Sequence, residues 1–205
     1  MKLICSLALA LAAATLSGCA AVAVGAAASG TMVAMDRRQP DVMATDERIE
    51  WTVQNRINTK FKDQVHVNAT SFNRNVLLTG EALSEPIRAE SGQLAASVEE
   101  VRSVTNELSI GAPSALTARA SDSYVTSQVK ARLVGEYEKV NPEHVKVVTE
   151  GGVVYLMGMV TQNEAAVATQ VARTTSGVKR VVRVFEYVPD AKTNPPKPPP
   201  RPEQQ

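Results

Sequence analysis

Between residues 45 and 188 the sequence states one pattern twice. "TDERIEWTVQNRINTKF" from Thr45 is answered by "SDSYVTSQVKARLVGEY" from Ser121, with Asp46 against Asp122 and Ile49, Val53 and Ile57 against Val125, Val129 and Leu133. Each trio recurs every fourth residue and so marks one face of a helix. Thr45 and Ser121, or the aspartate after each, are suited to cap those helices. Next, "VHVNATSFNRNVLLTGEAL" from Val65 is matched by "VKVVTEGGVVYLMGMV" from Val145. Val65 and Val67 fall against Val145 and Val147, Val76 and Leu78 against Val154 and Leu156, and Gly80 against Gly158. These are β-rich runs around a turn, one hairpin per copy. On this alignment the first turn, "SFNRN", is two residues longer than "EGG", and His66 aligns with Lys146.

A second helix follows in each copy. Thr161 and Glu164 have capping-box spacing. Ser84 opens the other, with Pro86 in its first turn, and Ile87, Ser91, Leu94 and Val98 trace one face. Each copy closes on a strand, "VRSVTNELSI" and "VKRVVRVFEYV". A strand–helix–strand step sets the last strand parallel to its neighbour, beside the antiparallel hairpin. The expected class is α+β: two tandem αββαβ domains, each a three-stranded mixed sheet with two helices on one face. Copies of this size are small for independent domains, so they are expected to pack on one another, joined by "GAPSALTARA".

The ends are of another kind. Lys2, the apolar run Leu3 to Leu16, and the small residues Ser17 and Gly18 form the three parts of a secretory signal. "LSGC", ending at Cys19, resembles the lipobox of bacterial lipoproteins. That resemblance implies that Cys19 takes a diacylglycerol, becomes the first mature residue and is acylated on its amine; several acyl chains hold a protein far better than one. Ala20 after it, rather than Asp, implies sorting to the outer membrane. Cys5 leaves with the signal and Cys19 is alkylated, which excludes a disulfide or thiolate metal site. The Pro-rich end, "PDAKTNPPKPPPRPEQQ", holds seven of the chain's eleven prolines and cannot build a core.

Lipobox, tether and duplicated unit together, with "VLLTGEA", "VYLMGMVT" and "SGVKRVVRV" as the motifs, resemble the dual BON-domain outer-membrane lipoproteins. One departure stands out: Glu100 occupies the place of Gly177, so that turn is expected to differ. The implied organisation is a signal peptide at 1–18, a lipidated N-terminus and tether at 19–44, a first BON domain at 45–111, a linker at 112–120, a second BON domain at 121–188 and a disordered tail at 189–205. The resemblance implies a periplasm-facing protein that binds anionic phospholipid of the phosphatidylglycerol kind through its second domain and helps maintain envelope integrity. The competing expectation is an interaction adaptor for outer-membrane assembly proteins that does not touch lipid.

No catalytic set is legible. His66 and His144 have no neighbouring cysteine, carboxylate pair or HxxxH spacing, so no metal ligand is expected of them. The glycines fit no phosphate loop, Glu99 and Glu100 read as a solvated helix end, and a serine hydrolase would need an activating histidine and an orienting acid. No cofactor is expected. The chain without its signal carries 21 basic and 21 acidic residues, which gives no reason to expect nucleic-acid binding. The halves differ, however. Residues 45–110 hold seven basic and ten acidic residues, net −3, and residues 118–188 nine and seven, net +2. Anionic headgroups favour the second half. Trp51 projects off the core stripe of the first helix and is expected to pack between the domains. Tyr124 projects off the stripe of its own helix, beside Ser127, Gln128 and Ala131, with Lys130 and Arg132 at the edges. An aromatic on a small, polar face suits a lipid–water boundary, so these six residues are the expected lipid contact.

Overall fold

The computed structural model describes residues 36–190; the signal segment, Cys19, most of the tether and nearly all of the Pro-rich tail lie outside the described residues. The first domain runs α1 (Pro40–Phe61), β1 (Val65–Phe72), β2 (Asn75–Ala82), α2 (Glu85–Ala96), β3 (Ser103–Asn106) and β4 (Ser109–Ile110). The second runs α3 (Leu116–Gly135), β5 (Val145–Glu150), β6 (Val153–Val160), α4 (Gln162–Arg173) and β7 (Arg180–Tyr187). In each, the hairpin is antiparallel and the strand after the second helix pairs in parallel with the hairpin's second strand. The first sheet has four strands rather than three. Its closing strand breaks at Glu107–Leu108, where Leu108 turns into the core, and β3 and β4 both pair with β2.

The helices begin earlier than their caps suggest. α1 starts at Pro40 and α3 at Leu116, and neither has a side-chain cap. Asp46 and Asp122 therefore lie inside their helices, and both are buried. Each reaches across to the hairpin turn. Asp122 accepts from the backbone N–H groups of Gly151 and Gly152, both at 2.9 Å. Asp46 accepts from the N–H groups of Asn73 and Arg74 at 2.8 and 2.7 Å, and from Ser71 Oγ at 2.6 Å. The matching aspartates are turn clamps, not caps. The capping box at Thr161 and Glu164 does form; Ser84 holds the cap position of α2 without a side-chain bond.

The two turns are equal in length. Asn73–Arg74 and Gly151–Gly152 each place two residues at positive φ, as a type I′ hairpin requires. The extra residues lie instead before β5, where the longer connection from α3 buries Val140. Counted from the turns, Val67 pairs with Gly80 and Val145 with Gly158. His66 and His144 are thus equivalent, and the alignment of His66 with Lys146 is corrected. A Cβ on Gly80 would stand 2.1 Å from the His66 carbonyl oxygen, and one on Gly158 2.0 Å from that of His144. Backbone packed this closely admits only glycine. The turn before the last strand does not differ either: Gly177 and Glu100 are both left-handed, at φ 86° and 68°. The Glu100 carboxylate is ion-paired with Arg48.

Each helix pair covers one sheet face, with Ile49, Val53, Ile57, Val76 and Leu78 central to the first core and Val125, Val129, Leu133, Val154 and Leu156 to the second. The other faces meet each other. Phe72 and Leu77 pack with Tyr155 and Met157 in a third apolar cluster, edged by Val148, Val182 and Val184. β2 and β6 are consequently buried on both faces, which explains their nearly unbroken apolar runs. Polar ties close the rim: Lys146 Nζ to Glu50 at 2.6 Å, Asn73 Nδ2 to Glu186 at 2.6 Å and Tyr155 Oη to Glu107 at 3.4 Å. Burial, reinforced by the Glu107 charge, pushes the Tyr155 hydroxyl up to about 12.

Candidate functional site

The inner face of α3 is fixed by Val125, Val129 and Leu133, and by Asp122 on its turn. At about 100° per residue, the opposite face carries Leu116, Ala120, Tyr124, Ser127, Ala131 and Val134. Three of these are large and open to solvent: Leu116 is 80%, Tyr124 65% and Val134 62% exposed. Gln128 is half-buried and donates from Nε2 to Tyr124 Oη at 2.7 Å, which lays the ring along the helix. Asp122 is the only acidic residue in α3, and it points inward, so the outer face carries no carboxylate.

The basic residues divide. Lys130 is exposed and makes no ion pair among the described residues. Arg132 is committed elsewhere. Its guanidinium donates to the Val171 carbonyl at 3.1 Å and to Thr175 and Thr174 Oγ1 at 2.8 and 2.9 Å. It thereby holds the C-terminus of α4, where a cation also meets the negative end of the helix dipole. Arg56, its counterpart in the first domain, reaches Ser97 at 3.5 Å. Arg132 is thus a strut at the edge of the face. Further cations of the second domain gather away from α3, where Arg173, Lys179, Arg180 and Arg183 line a cavity of about 560 Å³ with no acidic residue in its wall.

Leu116 and Ala120 lie outside a helix that begins at Ser121, and without them the stripe that ends at Val134 is only half seen. Extending it to Leu116 reveals a second stripe, at 116, 120, 124, 127, 131 and 134, with the same helical spacing as the core stripe. The first domain has no equal. Trp51 is 70% exposed and does not pack between the domains; at helical spacing from it stand Glu47, Arg48 and Asn55. No helix among the described residues is long and apolar enough to cross a membrane.

Residues 45–112 and 121–189 each match the profile of the BON domain. Over 175 residues the chain is 36% identical to the outer membrane lipoprotein DolP of Haemophilus influenzae, spanning 84% of this chain and 90% of that protein. It is also similar to a 21 kDa hemolysin of Actinobacillus pleuropneumoniae, at 31% identity over 156 residues, 75% of this chain and 80% of that one.

Proposed function

This chain belongs to the BON domain family, and on that premise we propose that it is an outer-membrane lipoprotein whose second domain docks on anionic phospholipid through the outer face of α3, in support of envelope integrity. The likeness to a protein named an outer membrane lipoprotein supports the address, and acyl chains on Cys19 are the proposed attachment. The observation that carries the lipid reading is the charge and polarity of α3. Leu116, Tyr124 and Val134 are exposed on a face without a carboxylate, and Lys130 is free beside it to meet a phosphate. Insertion of Tyr124 at the interface, with Lys130 among the headgroups, combines apolar burial with an electrostatic gain of about 1 kcal/mol per basic residue. Gln128 orients the ring and Ser127 and Ala131 keep the face flat. Arg132 supports the face by holding α4 in place.

The test is flotation of residues 36–190 with phosphatidylglycerol vesicles, phosphatidylcholine vesicles serving as the neutral control. Tyr124→Glu is expected to weaken binding to the anionic vesicles about tenfold or more, an aromatic's contact being worth roughly 1.4 kcal/mol or above. Its thermal midpoint should hold, because the side chain lies off the core. Trp51→Glu should bind nearly as the parent does. Undiminished binding by Tyr124→Glu would overturn the α3 face. A parent that floats with neither vesicle would favour the adaptor role.

A further inference from the structure

His66 and Glu81 face one another across the first hairpin, His66 pairing with Glu81 in the β1–β2 register. Their side chains lie 3.0 Å apart, Nδ1 to Oε2, and both are largely buried. The end of β5 in the second domain brings a third group, Glu150. One donor atom from each of His66, Glu81 and Glu150 lies within 4.8 Å of the others. Two carboxylates from different domains thus share a partly buried place with a single imidazole. Burial and the nearby Glu81 charge raise the Glu150 pKa. The other close donor to Glu150 is neutral, the Asn68 amide at 3.1 Å. Arg119 lines the neighbouring cavity but turns its Nε to Ser114 at 3.2 Å.

We propose that His66, Glu81 and Glu150 form a divalent-metal site, with chemistry suited to zinc, that ties the first domain to the second. One nitrogen and two carboxylate oxygens are a donor set zinc accepts, with a fourth position left to water. Ligands of a tetrahedral zinc stand about 3.3 Å apart, given bonds of about 2.0–2.1 Å. Donors now within 4.8 Å therefore need only side-chain rotation to close. Asn68 supplies the outer hydrogen bond that orients a ligating carboxylate. Glu150 lines two cavities, of about 600 and 430 Å³, that give an ion its path. The site belongs to the junction and is not a property of the fold. His144, the equivalent of His66, meets Glu164 at 3.3 Å and no second carboxylate of such a group among the described residues. This proposal is independent of the lipid reading.

The experiment is titration of zinc chloride into the untagged full chain in detergent, with a chromophoric chelator as competitor. One zinc per chain is expected to bind with a Kd of about 10 µM or tighter. His66→Ala and Glu150→Gln should each weaken it by about tenfold or more, and His144→Ala should leave it unchanged. The imidazole resonances of His66, and not those of His144, should shift in the parent chain, a readout that needs no variant to fold. Absence of saturable one-to-one binding, affinity indifferent to Glu150→Gln, or shifts confined to His144 would each overturn the site.

Discussion

Asp46→Ala is expected to lower the stability of the first domain by about 3–5 kcal/mol, the range for removing one partner of a buried charge network. The carboxylate holds Ser71 Oγ, the N–H groups of Asn73 and Arg74, and the Arg38 guanidinium at 2.8 Å. Both turn residues are non-glycine and left-handed, at φ 51° and 65°, a conformation that costs energy for a side-chain-bearing residue. Without the clamp, the buried Asn73 N–H and the partly buried Arg74 N–H lose their acceptor at the point where the backbone is least willing. At about 4–8 °C per kcal/mol for a domain of this size, thermal unfolding followed by circular dichroism should show a drop of about 12–40 °C. Asp122→Ala should cost less, about 2 kcal/mol, because its turn is Gly151–Gly152 and needs no help to be left-handed. Equal losses at the two sites would refute this account.

Gly158→Ala has the other large expected effect. A methyl group there would stand 2.0 Å from a backbone oxygen, and the residue has φ 151°. Neither β6 nor the strand beside it can retreat, since β6 is buried against α3 and α4 on one face and against the first domain on the other. A cost of about 4 kcal/mol or more is expected, seen as loss of soluble protein or a cooperative transition moved far downward. Gly135→Ala is the control. Nothing lies within 4 Å of a Cβ there, so that variant should be neutral or slightly stabilised. A stable Gly158→Ala variant would mean that the hairpin is not packed as described.

The duplicated stripes were legible because a core face repeats at helical spacing whatever surrounds it. Ile49, Val53 and Ile57, and their partners, are where the spacing puts them. The Thr161–Glu164 box was legible for a similar reason: its two bonds are made within four residues. Helix starts were not, because Pro40 and Leu116 begin helices without a capping side chain, while Thr45 and Ser121 look like caps and are not. The hairpin register is set by contacts between strands and not by the local sequence. What fixes it is the fit of Gly80 on the His66 carbonyl and of Gly158 on that of His144, and valines recurring at every second residue allow a slip of two. The grouping of Glu150 with His66 was beyond reach, since it arises only once one sheet lies on the other.

That double sheet has a consequence for how a duplicated chain diverges. The two copies press their inner surfaces together, so a change in bulk at Leu77 or Met157 must be accommodated by the other copy at once. The helical outsides face solvent in opposite directions and answer to no such partner. Selection can therefore rewrite α3 without consulting α1, and the contrast between Trp51 among charges and Tyr124 on a carboxylate-free face is the kind of specialisation this permits. Sheets stacked this way show one side to whatever the second copy touches and keep the first copy's side clear for a different encounter.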